Sequence, residues 1–361
     1  MAGTITPELF YRKQIEDLKS HLNSLLKQKQ LLGWLRFGIL AATGLLVWLF
    51  AAYGIFLAAA IFSTGLAIFL FAVRKDLANK EAIHHHERLI SINEQELLYL
   101  QHTYTHQKDG AAFYKDEHPY AGDLDIFGRA SLYQYINRTG SQQGNQRLAD
   151  WLLAPSNAAT IQARQQAVKE LIQNTNWRQE LQAHGSSAII TIATQQKMED
   201  WLKEGNQFVH KKIWHVIRYL FPIVAVSTLI CFLFDFISYQ FFLRSALVFT
   251  IVAFAITRII VPLYRKLNKI TEEMETLSKS IACIEQASFQ DPLLTSLKQQ
   301  FYTGNQKASQ QIFQLKNIFN RFDYRLNPVV FVPLNIFLLW DLQQVLQLEA
   351  WKQKNNQQIN H

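Results

Sequence analysis

Three consecutive histidines, His84, His85 and His86, are the first candidates for chemistry in this 361-residue chain, since imidazole nitrogens ligate zinc and related ions. Neighbouring residues on a helix point about 100° apart, so a regular helix cannot aim all three at one ion, and a solvated patch is expected instead. Asp116, His118, Asp123 and Asp125 could ligate a hard cation, but caps and loop hydrogen bonds use the same residue types. Arg129, Arg138, Arg147 and Arg164 are candidate contacts to a nucleic-acid backbone, which would show as a steep loss of affinity with salt. Gly304-Asn305-Gln306-Lys307 is the nearest approach to a phosphate-cradling loop, and it lacks both the first glycine and the Ser or Thr after lysine. No Ser-His-Asp or Cys-His arrangement, zinc spacing or paired carboxylate stands out, so no catalytic, cofactor-binding or metal-ligating residue is assigned. Cys231 and Cys283 cannot build a disulfide framework and are expected as reduced thiols.

The elements that would carry these residues are helical and unevenly apolar. Phe37 to Val73 holds no charge, a run about twice the roughly 20 residues that one span needs, with a turn expected at Tyr53 and Gly54. Arg36 precedes the run and Arg74, Lys75 and Lys80 follow it, which places both ends on the cytoplasmic side. A second apolar pair is expected between Lys212 and Arg265, with Arg258 snorkelling toward the same side and Asp235 placed to pair with Arg244 across the turn. The net charge of +8 suits nucleic acid, anionic lipid or the basic flanks of these spans, and is read as the last. Tyr11, Ile15, Leu18, Leu22 and Leu25 form a coiled-coil-like seam, which residues 74–100 run back along. Leu267, Ile270, Met274, Leu277, Ile281 and Ile284 form another, expected to continue the fourth span until Asp291-Pro292 breaks it. Val329 to Trp340 is too short for a span and is expected as one buried helix; Lys352 to His361 is expected to fray.

Asp123 to Pro155 carries the most information: helical spacing from Ala130 to Ile136, a stop over Asn137 to Ser141, a second helix capped by Ser141, and Pro155 to close it. A third helix is expected over Ala158 to Gln173, with Ile161, Val168, Leu171 and Ile172 on its apolar face. DLDIFGRASLYQYINRTGSQQGNQRLADWLLAP resembles the opening of the core domain of MutS-type mismatch-repair ATPases, and IQARQQAVKEL continues the resemblance. RLNPVVFVPLNIFLLWDLQQVLQLEAW is similar to a second block of that core, and the apolar runs look like the membrane-associated branch of the family. The fold expected is therefore all-α: a multi-pass membrane protein with two transmembrane helical hairpins and a MutS-core-like helical domain.

The expected organisation is an amphipathic helix over 1–33, hairpins over 34–73 and 211–265, a juxtamembrane helix and linker over 74–122, and a core in two parts, 123–210 and 266–361. Leu132, Leu148, Trp151, Leu152, Val168, Leu171, Leu338, Trp340 and Trp351 are expected in its structural body. The resemblance implies a lever serving an ATP- and Mg-dependent module, a homodimer, membrane lipid as partner and nucleic acid as a further one, with termini and core cytoplasmic at the inner membrane. ATPase activity is expected only if such a module lies beyond His361, because the phosphate loop is missing here. Phe-x-Glu, the family's mismatch wedge, is absent too, which weakens mismatch reading. The alternative is a membrane scaffold or oligomerisation protein without DNA or nucleotide function.

Overall fold

The computed structural model describes residues 6–267, 270–303 and 306–359, and most of them are helical. The chain forms two compact units: Met1–Arg138 with Leu148–Pro155 and Arg178–His184, and Thr139–Arg147 with Ser156–Trp177 and Gly185–His361.

In the first unit, α1 (Pro7–Phe50) and α2 (Ile55–Leu100) are each longer than a bilayer is thick. Thr6 opens α1 by accepting from the Leu9 N–H, and Pro7 fills the first turn, where its missing donor does no harm. The turn falls where the sequence put it, over Ala51–Tyr53 and Gly54, whose φ of 128° suits only glycine. The two helices run antiparallel, tied by Lys19 to Glu94 at 3.1 Å, Arg36 to Asp76 at 2.9 Å, and Asn79 Nδ2 donating to the Leu25 carbonyl at 3.0 Å. In their apolar halves a Cβ on Gly65 would fall 2.2 Å from Thr43 Oγ1, the small-residue approach that lets lipid-facing helices pack. Around them Trp48 and Phe56 are 75% and 72% exposed, and helices apolar on all faces suit lipid rather than water. The same unit holds a small core of Ala121, Ile126, Phe127, Tyr133 and Ala149.

α3 (Leu132–Ile136) is shorter than expected: Ala130 sits at a φ of 61°, and the helix starts only after Ser131, which accepts from the Gln134 N–H. α4 (Gln142–Leu153) opens as expected on Ser141, whose Oγ accepts from Gly144 N–H at 3.0 Å. α5 (Ala158–Gln173) has the expected bounds, with Asn157 Oδ1 accepting from Thr160 N–H at 2.8 Å. α6 (Thr175–Gly185) and α7 (Ile192–Lys203) complete this stretch.

The second unit is built on α8 (Lys212–Leu233), α9 (Tyr239–Leu267), α10 (Thr271–Gln286), α12 (Ala308–Phe322), α13 (Pro328–Leu338) and α14 (Trp340–Ile359), with the short α11 (Pro292–Gln299) between α10 and α12. Its core gathers Ile260, Ile270, Leu315, Phe322, Leu342 and Leu346, each almost fully buried. α8 and α9 lie side by side, with the Phe232 and Phe242 rings stacked at 4.3 Å.

One expectation falls outside the described residues, and several others are corrected. Residues 268 and 269, through which the fourth span was expected to continue, lie outside the described residues, and α10 starts at Thr271. Asp291-Pro292 starts α11 rather than ending a helix, because the Asp291 carboxylate caps Leu293 and Leu294 and proline is tolerated in a first turn. Among the described residues no ion pair joins Asp235 to Arg244. Val329–Trp340 is not one buried helix: Leu339, left-handed at a φ of 49°, separates α13 from α14, and Val329 is 83% exposed while Leu339 is buried. α14 does not fray at Lys352, which is buried along with Asn355. Four described helices are long and apolar enough to cross a membrane, within Pro7–Tyr53, Phe56–Leu100, Lys212–Leu233 and Tyr239–Pro262. A fifth results if α13 and α14, bent by 81°, count as one span.

Candidate functional site: a polar clasp on α14

The residues with the most demanding surroundings are strung along α14 and around it. Asn327 Oδ1 accepts from Val329 N–H at 3.1 Å and Pro328 fixes the first turn of α13, so α13 is set by its cap. The left-handed Leu339 then turns the chain and delivers Asp341 into a fully enclosed position. Arg325 meets it with two arms, Nε reaching Oδ1 at 2.8 Å and the second arm on Oδ2. The Thr257 hydroxyl of α9 donates to Asp341 Oδ2 at 2.7 Å and accepts from Asn335 Nδ2 at 2.8 Å. Asn335 Oδ1 accepts from the Asp341 N–H at 3.3 Å, which closes a ring across α9, α13 and α14. A buried carboxylate with this many donors and a bidentate guanidinium is compensated, and removing either partner exposes the full desolvation penalty.

Further along α14, Arg218 of α8 donates to Gln343 Oε1 at 2.6 Å, and Gln343 Nε2 donates to the Arg218 carbonyl at 2.9 Å. The Glu349 carboxylate is buried and accepts three backbone N–H groups, from Gln207, Phe208 and Val209, at 2.7–2.8 Å. Lys352 donates to the carbonyls of Trp201 and Glu204 at the end of α7 and lies 5.0 Å from the Trp201 ring centre. The Trp351 indole donates to the Gln311 carbonyl at 3.1 Å. Glu273 of α10 does the same work at the other end of α7, accepting from Thr191 N–H and from the Thr194 hydroxyl. These contacts fix α7 and the apolar pair α8–α9 onto a single helix; they place no nucleophile or acid-base pair at an open cleft.

The residues expected to act are distributed as follows. Arg138 is engaged: its guanidinium grips Glu96 at 2.6 and 3.2 Å and lies 3.3 Å from the Tyr99 ring centre. Arg164 donates to Ser156 Oγ at 3.1 Å, and Arg129 and Arg147 are exposed, with Arg147 having a partner of its own. Arg129 and Arg138 belong to the first unit, Arg147 and Arg164 to the second. His118 is a loop tie, with Nε2 on the Leu153 carbonyl at 2.9 Å and Nδ1 facing Ala121 N–H at 3.2 Å. Gly304 and Asn305 lie outside the described residues.

Of the nine residues expected in the structural body, Leu148 and Leu152 pack on the Tyr133 core and Trp351 on the larger one. Leu171, Leu338 and Trp340 are half-buried. Leu132, Trp151 and Val168 are instead exposed, at 43%, 48% and 50%: α3 turns Tyr133 and Gln134 inward, α4 turns Ala149 inward and α5 turns Ala167 inward. The histidine run is also corrected. His84 is solvated beside Glu87, whereas the His85 side chain is only 19% exposed and touches Glu180, 95 positions along the chain. Sequence reasoning missed Thr257, Glu349 and Lys352; for the two on α14 the one visible signal is polar residues interleaved among Val345, Leu346 and Leu348, and for Thr257 there is none.

Residues 117–203 match the family model of MutS domain III, and this marks the segment from the His118 loop through α7 as MutS-related. No curated protein and no solved structure matches the chain.

Proposed function

We propose that this MutS-related chain is a membrane-anchored helical lever. In this reading the apolar parts of α1, α2, α8 and α9 cross the bilayer as two hairpins, and the MutS-like parts stay on the cytoplasmic side of the inner membrane. α14 relays movement between α8–α9 and an ATP- and Mg-dependent module outside the chain. One observation supports the relay above others: the enclosed Asp341 holds Thr257 of an apolar helix and Arg325 of the neighbouring segment at once, so α9 cannot shift without α14. Pairing of two copies and contact with nucleic acid belong to the proposal through the family resemblance. The nucleic-acid part is narrowed by Arg138, whose charge is already matched by Glu96.

Sidedness in sealed vesicles tests the reading. In a chain with Cys231 and Cys283 replaced by serine, single cysteines at Arg147 and Gln353 should react with an impermeant thiol reagent from the same side. Cysteines at Tyr53 and Phe236 should react only from the other. Opposite sides for Arg147 and Gln353 would remove the lever, since the MutS-like parts could not then act together. Extraction of the chain from the vesicles by alkaline carbonate would remove the spans.

A further inference from the structure

α2 and α6 bring two imidazoles and a carboxylate to one spot that the proposed lever does not use. Glu180 and His184 stand one turn apart on α6 and so share a face, and His85 approaches them from α2. His85 Nε2 lies 2.8 Å from Glu180 Oε2, and His184 Nε2 lies 3.9 Å from the same oxygen. One ligand-type atom from each residue falls within 4.8 Å of the others. The framework around them is fixed. Leu89, Ile92 and Ala183 pack between the helices, the side-chain amides of Asn93 and Gln179 bond each other at 2.9 Å, and Arg88 Nε holds the Ala183 carbonyl at 2.9 Å. The other ring nitrogen of His184, Nδ1, is buried and has no hydrogen-bond partner.

A hydrogen bond accounts for His85 and Glu180 but leaves His184 unexplained. Its ring stacks on that of His85 with centres 4.8 Å apart, which sets two imidazoles side by side next to Glu180. Zinc bound tetrahedrally at about 2.0–2.1 Å from each donor holds its ligand atoms about 3.3 Å apart. The two separations from Glu180 Oε2 bracket that value, and rotamer shifts that close the widest pair, within 4.8 Å, by about 1.5 Å would admit an ion.

We propose that His85, Glu180 and His184 bind one divalent transition-metal ion of the zinc class, with water in the fourth position, closing α2 onto α6. Two imidazoles and a single carboxylate select borderline d-block ions over magnesium or calcium, which need more oxygen donors. His84 and His86 take no part: His84 pairs with Glu87, and His86 Nδ1 is on the Ala82 carbonyl at 2.9 Å.

Cobalt(II) is a direct probe, added to the full chain in detergent micelles, with no histidine tag. The expected result is the visible absorption of tetrahedral cobalt, saturating at one ion per chain and displaced by zinc. His85→Ala and His184→Ala should each weaken binding at least about tenfold at unchanged helical circular dichroism, while His84→Ala binds as the parent does. His184→Cys should add a thiolate-to-cobalt charge-transfer band, a mark of direct ligation that a merely structural residue would not give. The proposal falls if cobalt gives the same spectrum in a His85→Ala/His184→Ala variant as in the parent, or none in either. It falls equally if His84→Ala weakens binding as much as His85→Ala, which would put the ion on the histidine run.

Discussion

Asp341 has no path to water, so its charge must be answered inside the protein, and Arg325 does so with a side chain only 10% exposed. Asp341→Ala leaves that guanidinium without its carboxylate and should destabilise the second unit by about 3–5 kcal/mol. Thermal unfolding in micelles would show it, and the paired change Arg325→Met with Asp341→Leu should recover most of the loss. Asn327, Asn335 and Asp341 are among the residues that suggested the second MutS-like block, and here they cap α13 and close the ring. Tyr133 makes a second prediction, in the first unit. Burial pushes its phenol up to about 12 from 10.0, so the native state holds the proton where the unfolded chain loses it. The resulting stability is complete below 10.0 and is lost as pH rises toward 12, and Tyr133→Phe should flatten that slope in alkaline unfolding curves.

Helix boundaries set by local chemistry are legible in this chain, and those set by distant contacts are not. The spacing and the flanking Asn157 set α5, Ser141 sets the start of α4, and Gly54 sets the turn between α1 and α2. What stayed hidden depends on residues far apart in sequence. No glycine marks the break at Leu339; its buried side chain holds a left-handed backbone that leucine alone would avoid. The histidine run looked solvated because Glu180 and His184 come from a distant helix, and Val168 looked like core because helical spacing shows an apolar face but not whether anything covers it. The approach to α4 offers a test at this scale. A Cβ on Gly140 would lie 2.7 Å from the Gly185 carbonyl oxygen, so backbone must move against backbone. Gly140→Ala should destabilise by about 1–3 kcal/mol, measured as a lower melting point, while Gly205→Ala, in open space, should change little.

For the molecule as a whole, the leading feature is four described helices long and apolar enough to cross a membrane. α1 and α2 pass from uncharged to charged sequence with no proline in either interior, and ion pairs such as Arg36 with Asp76 join them where the charges begin. In oriented bilayers of short and long acyl chains, polarised infrared dichroism should therefore report a larger helix lean in the thinner lipid, because a hydrophobic length in excess of the hydrocarbon is absorbed by tilting. An angle independent of chain length would count against a spanning α1–α2 pair. With no joint between the greasy half and the wet half, the two cannot lean separately. For a spanning pair, a squeeze on the bilayer would thus be felt at Glu94 and Lys19 as a sideways swing, as wind on a sail is felt at the foot of the mast.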